Sequence, residues 1–357
     1  MPDREINRDN PFDLYREIVA APSITALKSI SARMLDTAGY ALSSNVGAKN
    51  IVQLISRFND AITLRLITLL ESTEGIHLPE GATFLVLGSE GRGEQTLRTD
   101  QDNAIVYNDD LPPGQLRNIE RFAARIVDAL EEVGVPRCPG NIMASNPSWC
   151  RSCNEWKMLL TEWITVPTPE HILNFGMFQD LRALHGDETP VLQLREHISA
   201  EAHCHACFFP NMACHVVRFP APFTIFGQIR VEQSGKHKGM VDLKKAGIFA
   251  ITTGATLLAL ESGLIGGDTW KKLELLGKLG FISSVDLEVI TQGFTFLVQL
   301  RLQQQLRELS HGSTPSNYVD PRSMSENEHE QFRHALKGVN TFLWIFRNHY
   351  LLDYISM

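Results

Sequence analysis

Two short apolar runs, Ala82 to Leu87 and Asn103 to Tyr107, enclose a polar segment carrying Gly88, Gly91 and Gly93, and this spacing most limits what the chain can become. The first run ends in Gly88-Ser89 and the second in Asn108-Asp109-Asp110, so both read as strands bounded by turn residues. The residues between them suit a turn and one short helix. Asp100 and Asp102 open the second strand. Two apart on a strand, their side chains share one face and can share divalent cations. Magnesium takes one or two carboxylates plus substrate phosphates and water. In two-metal sites the ions stand about 3.5–4 Å apart, one activating an attacking hydroxyl and the other stabilising a leaving pyrophosphate. Across the turn, glycine lets the backbone approach a phosphate, Ser89 and free amides can hold its oxygens, and Arg92 adds charge. Gly-Ser or Asp-x-Asp alone occurs in plain turns; the ordered combination points to a triphosphate cradle beside metal-binding carboxylates.

The flanking sequence divides the chain. From about Asp13 to Glu74 apolar residues recur at helical spacing, as in Ile51, Leu54, Ile55, Phe58, Ile62, Leu66, Leu69 and Leu70. Gln115 to Val133 is a further helix. Arg137 to Ala144 is expected to return to the sheet, Ser148 to Ile164 to be helical, and Phe175 to Leu184 to form another strand. Strands alternating with helices mark an α/β unit. Beyond Thr189 helical patterns dominate, with breaks near Pro210, at Pro220-Ala221-Pro222, at Gly266-Gly267 and from Gly312 to Pro321. The fold class is therefore α+β: a helical region over 1–77, an α/β domain over 78–187 and a helical domain over 188–357.

Composition excludes several classes. The 357 residues exceed what one core usually organises, and 43% hydrophobic with 21% charged residues is an ordinary globular balance. A net charge of −8 argues against a large sequence-independent affinity for nucleic acid. Met1 to Pro11 lacks an apolar core of signal-peptide type, and Ala246 to Leu260 carries threonines and ends at Glu261, so neither secretion nor membrane spanning is expected. The six cysteines then read as reduced thiols in the cytoplasm.

The run GSEGRGEQTLRTDQDNAIVY resembles the signature of the DUF294 nucleotidyltransferases, relatives of the PII uridylyltransferase and the glutamine-synthetase adenylyltransferase within the DNA-polymerase-β-like superfamily. The resemblance continues through CPGNIMASNPSWC, FQDLRALHGD and VDLKKAGIFAI, covering most of the chain from about Ile51. It implies a polymerase-β-like domain followed by a helical substrate-binding domain that closes one side of the cleft and presents the acceptor. It also implies phosphate contacts at Gly88, Ser89 and Arg92, and metal ligation by Asp100 and Asp102 with Mg2+ or Mn2+. Asp180 is the candidate third acid, with a salt-bridged Asp as the alternative. Arg182 joins the nucleotide-binding set. Lys244, in Asp242-Leu243-Lys244, resembles an element facing the nucleotide cleft, against the alternative of a solvated helix-start lysine. The implied reaction moves NMP from an NTP, UTP or ATP by analogy, to a hydroxyl of a protein acceptor.

The resemblance has departures. Many members carry cyclic-nucleotide-binding and CBS modules ahead of the transferase, whereas some eighty helical residues precede it here, and no His-Asp pair of the hydrolase type occurs. A nucleotide-binding regulatory module that transfers nothing, or an interaction scaffold, is the rival reading; the presence of both Asp100 and Asp102 favours the enzyme. Cys150-x-x-Cys153 and Cys204-x-x-Cys207, near His203, His205, Cys214 and His215, invite a zinc reading, set against buried free thiols in helical segments. Gly235 to Gly239, GKHKG, is a basic patch that either meets an acidic partner or nucleotide or is a solvated loop. Phe342 to Tyr354 is either a docking face or a terminal helix closing the bundle.

Overall fold

The computed structural model describes residues 10–44, 46–97, 99–224 and 228–354. The charged stretch before residue 10 and Arg98 of the glycine-bearing segment lie outside the described residues. The chain forms two compact units: residues 1–160 with 180–197, and residues 161–179 with 198–357.

The first unit begins with three helices, each started by a recognisable cap or turn. Asn10 accepts from the Phe12 amide ahead of α1 (Pro11–Ala20), Ser23 accepts from Ala26 ahead of α2 (Ile24–Ser43), and Gly47 precedes α3 (Ala48–Leu69). The apolar stripe expected in α3 is buried at Ile51, Ile55, Phe58, Ile62, Leu66 and Leu69. It packs on α5 (Pro113–Glu132), which buries Ile119, Phe122, Ala123, Ile126 and Leu130 at helical spacing. A fully buried side chain of this size contributes about 1.5–3 kcal/mol, so this shared core is the main support of the sheet beside it.

The sheet runs in the order β3-β2-β1-β4. Central β1 (Ala82–Val86) is buried at every residue and pairs antiparallel with β2 (Asn103–Tyr107) and with β4 (Arg182–Gly186). A bulge between Phe84 and Leu85 shifts the β4 register. β3 (Cys150–Ser152) joins β2 in parallel. Trp156, fully buried on α6 (Cys153–Thr165), donates its indole N–H to the Ile105 carbonyl at 2.9 Å and fastens that helix to β2.

Three sequence expectations need correction here. Arg137 to Ala144 forms no strand: Pro136 and Pro139 lack the N–H groups a ladder needs, and the Asn141 amide closes a turn on the Cys138 carbonyl. Asn103 nevertheless ties this segment to β2, donating to Ile142 O at 3.2 Å and accepting from the Ala144 amide at 2.8 Å. Ser148 to Ile164 is not one helix, because β3 interrupts it. Phe175 to Leu184 is not one strand either; Thr168 caps α7 (Pro169–Phe178), which takes Phe175 and Phe178 into a helix and delays β4 to Arg182.

The second unit holds α7, α9 (Phe208–Val216), α10 (Phe249–Glu261), α11 (Thr269–Lys278), α12 (Ser284–Ser310) and α13 (Glu326–His349), the last opened by a Ser325–Glu328 capping box. The break expected near Pro210 falls between α8 (Thr189–Cys204) and α9, and Pro210 itself occupies the first turn of α9, where a missing N–H costs nothing. A two-stranded ladder, β5 (Val241–Asp242) with β6 (Tyr318–Val319), adds to the helices. α12 and α13 approach closely at Gly293, where a side-chain Cβ would stand 2.8 Å from the Ala335 carbonyl oxygen. The end of α13 is tied down: His349 and the Tyr350 hydroxyl reach the Glu261 carboxylate at 2.8 and 2.7 Å. Phe342 and Phe346 are buried, so the terminal helix closes the bundle while Trp344, Leu351 and Tyr354 remain exposed.

Candidate active site

The turn after β1 is built by local hydrogen bonds. Four-residue α4 (Gly88–Gly91) begins with a positive φ of 52° at Gly88, and the amides of Gly88 and Ser89 precede its first internal bond, Glu90 N–H to Leu87 O. Gly91 has a different task from the one its motif suggests: a Cβ there would stand 2.1 Å from the Asp180 carbonyl oxygen, so the residue is small to let α4 pack against the chain leading into β4.

The Asp-x-Asp segment continues the β1–β2 ladder backward, since the Leu87 amide donates to Asp102 O at 2.9 Å. Burial alternates along it: Gln101 and Asn103 are buried, Asp100 and Asp102 half-buried. Gln101 reaches inward, its Nε2 donating to the Val127 and Val135 carbonyls at 3.1 Å each, and its backbone amide bonds Pro136 O. Its Oε1 is buried without a partner among the described residues, beside a cavity of about 10 Å3 that Glu90, Gln95 and Thr99 also line. The inward residues orient the strand, and by the period of two the carboxylates of Asp100 and Asp102 go to its other face.

Asp180 lies two residues before β4 rather than within a strand, and is almost completely buried. Its carboxylate receives Arg92 Nη1 at 2.7 Å, and Arg92 Nε donates to Glu94 Oε2 at 3.0 Å. The guanidinium pKa is raised despite burial, because two carboxylates hold its charge. Arg182 donates through Nη2 to Asp60 of α3 at 2.8 Å and to the Glu90 carbonyl at 3.0 Å. The Glu90 carboxyl is pushed up to about 8, chiefly by burial and then by the Asp60 and Asp102 charges, against the lowering by Arg182. The Cys138 thiol is pushed up to about 11, chiefly by burial, with the Asp102 carboxylate beside it as hydrogen-bond partner.

Gly88, Ser89, Arg92, Asp100, Asp102, Asp180 and Arg182 thus all fall in the first unit, whose central strand ends between Asp102 on the β2 side and Asp180 on the β4 side. Lys244 belongs to the second unit, exposed just after β5, with its amide on the Asp242 carboxylate. Sequence reasoning missed Asp60, Glu90, Glu94 and Cys138. The two glutamates stand inside the GSEGRGEQ motif and Cys138 opens the CPGNIMASNPSWC run, but local pattern gives none of them a role. Asp60, on α3, lies far from the motif and carries no local signal.

Among the described residues no three His, Cys, Asp or Glu gather to hold a metal. For zinc this is a mismatch. Cys153 is buried at the start of α6, as the free-thiol alternative expects, whereas Cys150 lies half-buried on β3 and Cys204 and Cys207 are exposed, so the picture of buried helical thiols is corrected for those three. Magnesium asks less of the protein, one or two carboxylates beside substrate phosphates and water, and Asp100 and Asp102 are half-buried on the segment leading into β2.

The sequence matches the family described as "Putative nucleotidyltransferase DUF294" over residues 32–170 and "Putative nucleotidyltransferase substrate binding domain" over residues 206–350. No curated protein matches it. No helix among the described residues is long and apolar enough to cross a membrane.

Proposed function

Because the chain belongs to the DUF294 nucleotidyltransferase family, we propose that it transfers NMP from an NTP to a hydroxyl of a protein acceptor in the cytoplasm, as the PII uridylyltransferase-like resemblance implies. The observation that carries the reading is the alternation of Asp100 and Asp102 with inward Gln101 and Asn103, directly across the ladder from the Leu87–Gly88 turn. Gly88 and Ser89 receive the triphosphate through their amides and the serine hydroxyl. Asp100 and Asp102 would hold magnesium, which would supply charge neutralisation for the phosphates and a lowered pKa for the acceptor hydroxyl. The acceptor oxygen bonds to the α-phosphorus, the bond from that phosphorus to its bridging oxygen breaks, pyrophosphate departs, and the hydroxyl proton passes to solvent.

Asp180 is the third acidic group of this reading, and its closest duty is to hold Arg92 so that the remaining N–H groups of the fork can meet phosphate oxygens. Arg182 acts through its bonds to Asp60 and the Glu90 carbonyl, setting the cradle against α3. The family description of residues 206–350 supports assigning acceptor recognition to the helical domain, where Lys244 is the candidate phosphate contact. The domain limits 1–77, 78–187 and 188–357 belong to the same proposal.

The test is transfer of label from each α-labelled NTP, with magnesium, to proteins of the source lysate, comparing wild type with Asp102→Ala. A labelled band that vanishes in the variant identifies donor and acceptor together. Magnesium-dependent nucleotide binding without transfer from any NTP would favour the regulatory-module reading instead.

A further inference from the structure

The second unit contains an open pocket of about 620 Å3 whose charged lining is basic: Arg322, His329 and Arg333, with Ile229, Val231 and Pro321 as apolar wall. Among the described residues no Asp or Glu lines it, in a chain of net charge −8. His329 and Arg333 stand four apart near the start of α13 and so share one helix face. Arg322 is fixed by Asp320, which accepts from Nε at 3.0 Å and from Nη2 at 2.9 Å; the other N–H groups of the fork remain for a ligand. Gly239 keeps room for that guanidinium, since a Cβ there would stand 2.9 Å from Nη2. The GKHKG run joins the two wall segments: Glu232 N donates to Met240 O and Gly239 N to Glu232 O, leaving Lys236 and Lys238 exposed on the loop between. His237 stacks on Tyr318 with ring centroids 3.7 Å apart, which fixes the loop's far end.

We propose that this pocket binds a small organic phosphate, its phosphate held by Arg322 and Arg333 and its organic body resting on Ile229, Val231 and Pro321. Two planar forks suit phosphate oxygens, and the volume is that of a small-molecule site. An acidic polypeptide fits less well, because Glu326 and Glu330 border the adjoining surface beside His329 and Arg333 and would repel a negative chain leaving the pocket. Every residue named in this lining belongs to the second unit.

Phenyl phosphate, titrated into the full chain by calorimetry, is the probe, with inorganic phosphate and neutral phenol beside it. Saturable binding is expected for phenyl phosphate, about tenfold weaker for inorganic phosphate and absent for phenol. Arg322→Gln with Arg333→Gln should weaken phenyl phosphate by more than about tenfold, while Asp102→Ala leaves it in place. Hydrogen exchange of the wild-type chain should show protection by the probe at 228–240 and 321–333, a readout that survives if the double variant does not fold. Absence of saturable binding at millimolar probe, unchanged affinity in a folded double variant, or protection confined to 88–102 would each overturn the proposal.

Discussion

Arg92 and Asp180 stand 88 residues apart in sequence and 2.7 Å apart in space, Nη1 to Oδ2, with the carboxylate almost wholly buried. This pair joins the turn after β1 to the start of β4, and removing Asp180 leaves the Arg92 guanidinium buried against Glu94 with half of its countercharge gone. Breaking such a pair costs about 3–5 kcal/mol. Asp180→Asn should therefore lower the unfolding free energy by that order, read as a lower denaturant midpoint, and adding Arg92→Met should recover part of the loss. Equal midpoints for wild type and Asp180→Asn would show that the pair does not hold this junction.

Gly91→Ala tests the same junction sterically. Its Cβ would meet the Asp180 carbonyl oxygen at 2.1 Å, so α4 or the β4 approach must move. Overpacking of this kind costs about 1–3 kcal/mol, and a thermal melt should report it as a lowered midpoint. Gly93→Ala, which meets nothing within 4 Å but sits at φ +68°, separates backbone strain from collision.

Glu90 gives a pH signature of known sign. Its carboxyl is raised from an ordinary 4.5 to about 8, so the folded chain retains a proton that the unfolded chain releases. The stabilisation is complete below about 4.5 and is lost as pH rises through about 8. Glu90→Gln should flatten the stability profile across that window and gain most at its alkaline end. Denaturant titrations at several pH values will show it; parallel profiles would refute the assignment.

Thiol chemistry distinguishes the cysteines. Cys204 and Cys207 are exposed, whereas Cys138 and Cys150 are pushed up to about 11 and about 12, chiefly by burial, and carry almost no thiolate at neutral pH. Iodoacetamide followed by peptide mass spectrometry should label Cys204 and Cys207 first. Early modification of Cys138 would mean that Asp102 does not hold its thiol as described.

The α+β class, the helical stripe of α3, strands β1 and β2, and the family were legible because each is written locally, in apolar spacing or in a contiguous motif. The third strand and the position of β4 were not. Cys150–Ser152 is too short to carry a periodic signal, and Phe175 and Phe178 suit a strand or a helix equally until the Thr168 cap decides. The candidate site divides the same way. Gly88, Ser89, Asp100 and Asp102 could be named from one segment of sequence. That Arg92 is held by Asp180 and Glu94, that Arg182 answers Asp60 on α3, and that Gly91 serves packing against Asp180 depend on pairings across 88, 122 and 89 residues. Local pattern fixes which backbone a segment prefers, but burial and neighbouring charge decide what each side chain does, and both exist only once distant segments are folded against one another.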